Sequence, residues 1–87
     1  MSSPYLKLYR SKLKINILSS LLREEKKLSS LREELGSSGS TIIHALKDLE
    51  ALNLTQQLEK HYKLTSLGVI QALLIEEASS AAEVLER

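Results

Sequence analysis

The side chains able to carry acid–base, nucleophilic or metal chemistry are few in this sequence and poorly placed for it. His44 and His61 are the only histidines, seventeen positions apart, and there is no cysteine. Without cysteine there is no disulfide, no thiolate metal site and no Cys nucleophile, and two isolated imidazoles do not make the His/Asp/Glu cluster that a metal sensor needs. The carboxylate pairs Glu24-Glu25, Glu33-Glu34 and Glu76-Glu77 fall on polar helical faces and read as solvated groups. No Ser-His-acid constellation or glycine-rich phosphate loop accompanies them. The chain therefore reads as a non-enzyme with no cofactor and no metal.

Charge is the remaining resource. The net charge is only +1, yet residues 1–28 carry seven Lys/Arg against two Glu, residues 29–64 four against five, and residues 65–87 one against four. One end is basic and the other acidic. That asymmetry suits a phosphate-facing patch, and it equally suits helix-end electrostatics and solubility.

The elements that must position these groups belong to one small domain, expected over residues 1–87. A chain of this length buries only about two-thirds of the surface its unfolded form exposes. With no Trp or Phe and three tyrosines, Tyr5, Tyr9 and Tyr62, its core must be aliphatic. Met1-Ser2-Ser3-Pro4 has no charged region leading into an apolar stretch, so no signal peptide is visible. The longest apolar run, Ala72-Leu73-Leu74-Ile75, is far short of a membrane span, so a soluble, cytoplasmic protein is expected.

From Tyr9 to Glu25 the residues Tyr9, Leu13, Ile17 and Leu21, widened by Leu18 and Leu22, trace an amphipathic helix. Lys26-Lys27-Leu28 breaks it. Ser29 or Ser30 then caps a second helix, Ser30 and Glu33 having the spacing of a capping box, and this helix ends at Leu35 before Gly36. Ser37-Ser38-Gly39-Ser40 supplies turn and cap for a third helix running to about Leu52, with an inner stripe of Ile42, Leu46 and Leu49 and with Asn53 as its positive-φ terminator. Beyond it the period becomes two. Leu54, Gln56 and Leu58 share one face, and Tyr62 and Leu64 do so after Glu59-Lys60-His61, which predicts a hairpin over 54–64 without the chemistry of a tight primed turn. Thr65 or Ser66 opens a last helix, 66–87, in which Leu67, Ile70, Leu74, Ala78, Ala81 and Leu85 keep a 3.6-residue period. The fold class is mainly α with a small β-hairpin: three helices, a ribbon and a long helix, with a helix-turn-helix over 29–52.

Ser-Leu-Arg-Glu-Glu-Leu-Gly (30–36), Ser-Gly-Ser-Thr-Ile (38–42), His44, Leu-Lys-Asp-Leu-Glu (46–50) and His-Tyr-Lys-Leu-Thr-Ser-Leu-Gly (61–68) together resemble the winged helix-turn-helix transcriptional regulators of the ArsR-like and MarR-like kind. The resemblance implies that the third helix enters the major groove of double-stranded DNA with Ser38, Ser40, Thr41, His44 and Lys47 facing bases and phosphates, and Ile43 facing a thymine methyl. Four of these also have a plainer reading: caps for Ser38 and Ser40, a solvated Lys47, and Ile43 packed on the second helix. In the ribbon, Lys60 and Lys63 would lie along a groove or backbone, with Lys26 and Lys27 nearby if Leu28 pairs as a short strand. The wing tip departs from the pattern, having Glu59-Lys60-His61 where relatives carry Gly and Arg. Arg32 and Ser37 depart too, standing where Ala and an apolar residue are common, and Arg32 suits a backbone phosphate.

The last helix has more apolar surface than this core requires. Leu74, Ala78, Ala81 and Leu85 are expected to form the interface of a twofold homodimer, packed through the first and last helices. The other solutions are the DNA-binding part of a longer, archaeal-type regulator, and a monomer with a frayed last helix. The competing function is a winged-helix protein-interaction module without direct DNA binding, which the low net charge and exposed Ile43 would suit.

Overall fold

The structure, a computed structural model, describes Leu8 and residues 10–85, with the side chains of 78–85 outside the description. Among the described residues the elements run in the order α1 (Lys12–Arg23), β1 (Lys26–Lys27), α2 (Leu28–Leu35), α3 (Gly39–Ala51), β2 (Thr55–Leu58), β3 (His61–Leu64) and α4 (Ser66–Leu85).

Helix α1 starts later than the apolar repeat suggests, because Ser11 takes an extended conformation and its hydroxyl accepts from the Lys14 amide at 3.3 Å. Tyr9 lies outside the described residues, and Glu24 and Glu25 lie beyond the helix end. Its buried side is Ile17, Leu18 and Leu21. The polar break at Lys26 and Lys27 is an edge strand of the sheet, so the short strand entertained at Leu28 lies one to two residues earlier and Leu28 belongs to the next helix. Helix α2 then begins at Leu28 with Lys27 as an N-cap that makes no side-chain hydrogen bond. Ser29 and Ser30 therefore lie inside the helix, and the expected Ser30/Glu33 capping box does not form at its start. Pairing of β1 with β3 has moved the helix boundary two or three residues upstream, a tertiary constraint overriding a local signal.

The turn between α2 and α3 follows the residue chemistry. Gly36 sits at φ 65°, ψ 22°, and its amide closes on the Arg32 carbonyl at 2.9 Å. This left-handed geometry is one in which a Cβ is costly. Ser38 N-caps α3, accepting from the Thr41 amide at 3.3 Å. Ile42, Ala45, Leu46 and Leu49 of α3 are buried, and Asn53 follows the helix at φ 61°.

The three strands form an antiparallel sheet in the order β1-β3-β2. Leu58 pairs with His61, so Glu59 and Lys60 make a two-residue loop, with Glu59 at φ 55° where glycine is the usual occupant. That register settles the faces, since paired residues of an antiparallel ladder project to the same side. Tyr62 and Leu64 point inward, packed against the core, with Thr55 and Gln57 opposite them. Gln56 and Leu58 therefore share the outer face with His61 and Lys63, and Leu58 stands 50% exposed. The alternation read from sequence had set Leu54, Gln56 and Leu58 on one face. The buried Leu54 precedes the strand, so its position does not fix the face of Leu58.

Helix α4 joins the body through a tight junction. The Thr65 amide donates to the Leu54 carbonyl at 3.0 Å, the Thr65 hydroxyl donates to the Asn53 carbonyl at 2.5 Å, and the same hydroxyl accepts from the Gly68 amide at 3.0 Å. Gly68 lies so close to Leu54 that a Cβ there would be 1.9 Å from the Leu54 carbonyl oxygen. The core joins Leu8 to Ile17, Leu18, Leu21, Leu31, Ile42, Ala45, Leu46, Leu49, Leu54, Ala72 and Ile75. On α4 the buried line is thus Gly68, Ala72 and Ile75. Leu67, Ile70 and Leu74, the first residues of the apolar period, are exposed, Ile70 at 55% and Leu74 at 50%. The close approach at Gly68 sets the roll of the helix and turns its smaller residues inward.

Candidate nucleic-acid interface

Ile42, Ala45, Leu46 and Leu49 anchor α3 in the core, which turns Ser40, Thr41, His44 and Lys47 into solvent, all four exposed. Their spacing places them on one side of the helix. At its N-terminus the hydroxyls of Ser38 and Thr41 lie 2.8 Å apart and those of Ser38 and Ser40 3.4 Å apart. Ser38 is therefore a cap and an exposed hydroxyl at once. Ile43 is half-buried.

The orientation of α3 is pinned from two sides. The Lys14 ammonium reaches the Asp48 carboxylate at 2.9 Å, tying α1 to α3. Arg32 of α2 lies along the first turn of α3: a Cβ on Gly39 would stand 3.4 Å from its Cδ and 3.7 Å from its Nε. Gly39 leaves room for that side chain, whose guanidinium borders an open hollow lined also by Ser29, Glu33, Gly36, Ser37 and Ser38. A cation thus stands beside the hydroxyls and free amides of a helix N-terminus, a combination suited to phosphate oxygens.

On the sheet, Lys60 occupies the exposed loop, and Lys63 lies half-buried on the outer face beside His61. The two lysines of β1 separate by strand alternation. Lys27, opposite His61, faces outward, whereas Lys26, opposite Tyr62, turns in. The sequence reading places Lys26 and Lys27 together beside the ribbon; only the β1–β3 register, which no local pattern reveals, tells them apart.

Lys26 has another occupation. Its ammonium donates to the Ser20 hydroxyl at 2.6 Å and to Glu34 Oε2 at 2.9 Å, and its side chain is only 12% exposed. Glu34 also accepts from the Ser20 hydroxyl and from the Arg23 guanidinium. Hydrogen bonding by Ser20, then by Lys26, outweighs partial desolvation and holds the Glu34 carboxyl below the ordinary glutamate range, with the charges of Lys26 and Arg23 adding to the effect. The expectation that Glu33-Glu34 is a pair of merely solvated carboxylates fails at Glu34. It also follows that Lys14, Arg23 and Lys26, three of the basic residues of the N-terminal third, are neutralised within the fold.

Of the residues expected at a helix interface, Leu74 is exposed on α4 together with Leu67, Val69, Ile70 and Leu73. Ala78, Ala81 and Leu85 lie on the helical backbone of α4, with side chains outside the described residues. Among the described residues there is no group of three or more His, Asp or Glu able to hold a metal, and no helix is long and apolar enough to cross a membrane.

This arrangement has known counterparts. The structure of quinone-bound YodB from B. subtilis superposes with a TM-score of 0.81 over 88% of this chain and 89% of that one, at 20% identity. HlyU from Vibrio cholerae N16961 gives 0.70 over 90% and 87%, at 26% identity. These neighbours establish the fold, a winged helix-turn-helix. In sequence, the methanogenesis regulatory protein FilR1 of Methanothrix harundinacea (strain 6Ac) is 34% identical over 76 residues, which are 87% of this chain and 17% of that protein. The chain therefore spans about a sixth of the length of that relative. The family model for the N-terminal domain of FilR1 matches residues 5–81, nearly all of the described elements, and the chain belongs to that family, the N-terminal domain of the methanogenesis regulatory protein FilR1.

Proposed function

We propose that this chain docks on double-stranded DNA as the sequence-reading part of a transcriptional regulator, with α3 in the major groove and the outer face of the sheet on the adjoining backbone. The observation that carries the reading is the exposed polar side of α3: Ser40, Thr41, His44 and Lys47 project from a helix whose opposite side is fully core. Hydroxyls and imidazole there can exchange hydrogen bonds with base edges, and Lys47 can neutralise a phosphate. Ser38 and Arg32 would hold phosphates at the helix N-terminus, and Ile43 would meet a thymine methyl. Lys60 and Lys63, joined by Lys27, would follow the backbone. The regulatory name of the FilR1 relative supports this reading. We assign the chain a binding role in the cytoplasm and no catalytic one.

We also infer that two copies pair through α1 and α4. Five large apolar side chains exposed on α4, Leu67, Val69, Ile70, Leu73 and Leu74, support a helix-on-helix contact that would continue through Ala78, Ala81 and Leu85. Sedimentation of wild type and Ile70→Glu tests this part: a dimer that becomes a monomer on substitution is expected, and a wild-type monomer at tens of micromolar overturns it.

The DNA reading is tested by fluorescence anisotropy on random-sequence duplex across a salt series. Wild type should bind with Kd of roughly 1–100 μM, weakening steeply with salt. Lys47→Ala should lower the log–log salt slope by about one, and Ser40→Ala should weaken binding. No binding at low salt would overturn the proposal in favour of a protein-interaction module.

A further inference from the structure

The Glu34 cluster joins the two parts of the candidate interface. Glu34 lies in the last turn of α2, two residues before the Gly36 turn that launches α3. Its carboxylate gathers Ser20 and Arg23 from the end of α1 and Lys26 from β1. Strand β1 has only two residues, and both pair with β3, Lys26 with Tyr62 and Lys27 with His61. So short a strand has little ladder of its own to hold it. The side chain of Lys26 fastens it to α2 by an ion pair that is largely shielded on the lysine side and 30% exposed on the glutamate side. Through β1, the carboxylate is thus linked to β3, whose outward residues are His61 and Lys63.

We propose that Glu34 is a positioning residue that holds the wing to the helix-turn-helix, so that the outer face of the sheet and α3 engage one duplex in a fixed relation. This rests on the DNA-docking reading above. It makes a prediction opposite in sign to simple electrostatics. Glu34→Gln removes a negative charge and releases Arg23 and Lys26, so a protein that merely attracts DNA by charge should bind more tightly. With Glu34 as the positioning group, the wing instead loses its register, and binding weakens.

The test is a double-mutant cycle on duplex binding, measured by anisotropy with wild type, Glu34→Gln, Lys63→Ala and the double variant, at a temperature where a circular-dichroism melt finds all four folded. Lys63→Ala should weaken wild-type binding several-fold and lower its salt slope by about 0.9. Glu34→Gln should weaken binding about tenfold, and adding Lys63→Ala to it should change affinity less than about twofold, the coupling expected when two residues act through one contact. A role in stability alone would leave the Lys63 effect the same in both backgrounds. If Glu34→Gln does not fold, Lys26→Met takes its place, since it severs the strand from Glu34 while leaving Arg23 and Ser20 on the carboxylate; it too must abolish the Lys63 effect. Equal or tighter binding by Glu34→Gln, or a Lys63 effect that persists in the variant background, overturns the inference while the DNA reading stands. Absence of duplex binding by wild type overturns both.

Discussion

Gly68→Ala sets helix propensity against packing at a single atom. On propensity alone, alanine in a helix is favoured over glycine by about 0.8–1.0 kcal/mol. At this position the added Cβ would lie 1.9 Å from the Leu54 carbonyl oxygen and 2.9 Å from its carbon. Close carbon–oxygen contacts sit near 3.3 Å, so the backbones must part by roughly 1.4 Å. Leu54 has little freedom to move: its side chain is fully buried, its amide donates to Leu49 at 3.0 Å, and its carbonyl receives the Thr65 amide at 3.0 Å. Overpacking of this kind costs about 1–3 kcal/mol. Displacing Thr65 adds about 1 kcal/mol for its hydrogen bond to Leu54 and about 1 kcal/mol for its cap on the Gly68 amide. With the propensity gain subtracted, the expected loss is about 2–4 kcal/mol, or a fall in Tm of roughly 10–30 °C for a domain of this size. Thermal unfolding followed by far-UV circular dichroism measures it, with Gly36→Ala as the control. A Cβ at Gly36 meets nothing within 4 Å, so that substitution carries only the strain of φ 65°, about 1 kcal/mol. A Gly68→Ala protein that melts at or above wild type, or one less damaged than Gly36→Ala, would refute the packing argument.

Other substitutions probe the remaining local features. Thr55 Oγ1 is buried and finds no hydrogen-bond partner, so Thr55→Val should stabilise the fold by about 1 kcal/mol; a lower urea midpoint would show that the hydroxyl is satisfied after all. Glu59 holds φ 55° at the sheet's loop, and Glu59→Gly should raise Tm by a few degrees, the strain relieved being on the order of 1 kcal/mol. Ser38→Ala removes the cap of α3 and should cost about 1 kcal/mol, read from the same melts. Because the Glu34 carboxyl is held below its ordinary value in the folded chain, its stabilising effect is present above the unfolded glutamate range and is lost as pH falls through the folded value. An acid-unfolding series should therefore be steeper for wild type than for Glu34→Gln, and superimposable acid limbs would count against the network.

How much could be read in advance depended on whether the governing interaction was local. Gly36, Ser38 and Asn53 act on their own backbone and immediate neighbours, and each takes the role its chemistry suggests. The wing and the last helix answer to distant partners. A two-residue edge strand moved the start of α2 to Leu28, and a two-residue loop fixed the register that turns Leu58 outward. On α4 the apolar period is real, yet by itself it does not say which side faces the core: Leu67, Ile70 and Leu74 are larger and more apolar than Gly68, Ala72 and Ile75 taken together as a face, and they are the exposed ones. Hydrophobicity alone could not show that a backbone-to-backbone approach at Gly68 decides the roll.

The basic end of the chain is the instructive case. Counting charges along the sequence suits a phosphate-facing patch and helix-end electrostatics equally; in the fold Lys14 meets Asp48, and Arg23 and Lys26 converge on Glu34. A count treats these lysines and arginines alike, whereas the fold sorts them by which neighbour their side chains reach. Two adjacent lysines in a strand make the point most sharply. The alternation of the pleat sends Lys26 into an ion pair and Lys27 to the surface, so one adjusts the relation between wing and helix while the other remains available to a polyanion. If that division is right, Lys27→Ala should lower the salt slope of duplex binding by about 0.9 with no change in Tm beyond a degree or two. Lys26→Met should instead lower affinity through the lost wing register and shift the melt. The same chemical deletion at neighbouring positions would then give two different signatures, one in counterion release and the other in architecture. Identical signatures would mean that charge, and not position in the fold, governs binding.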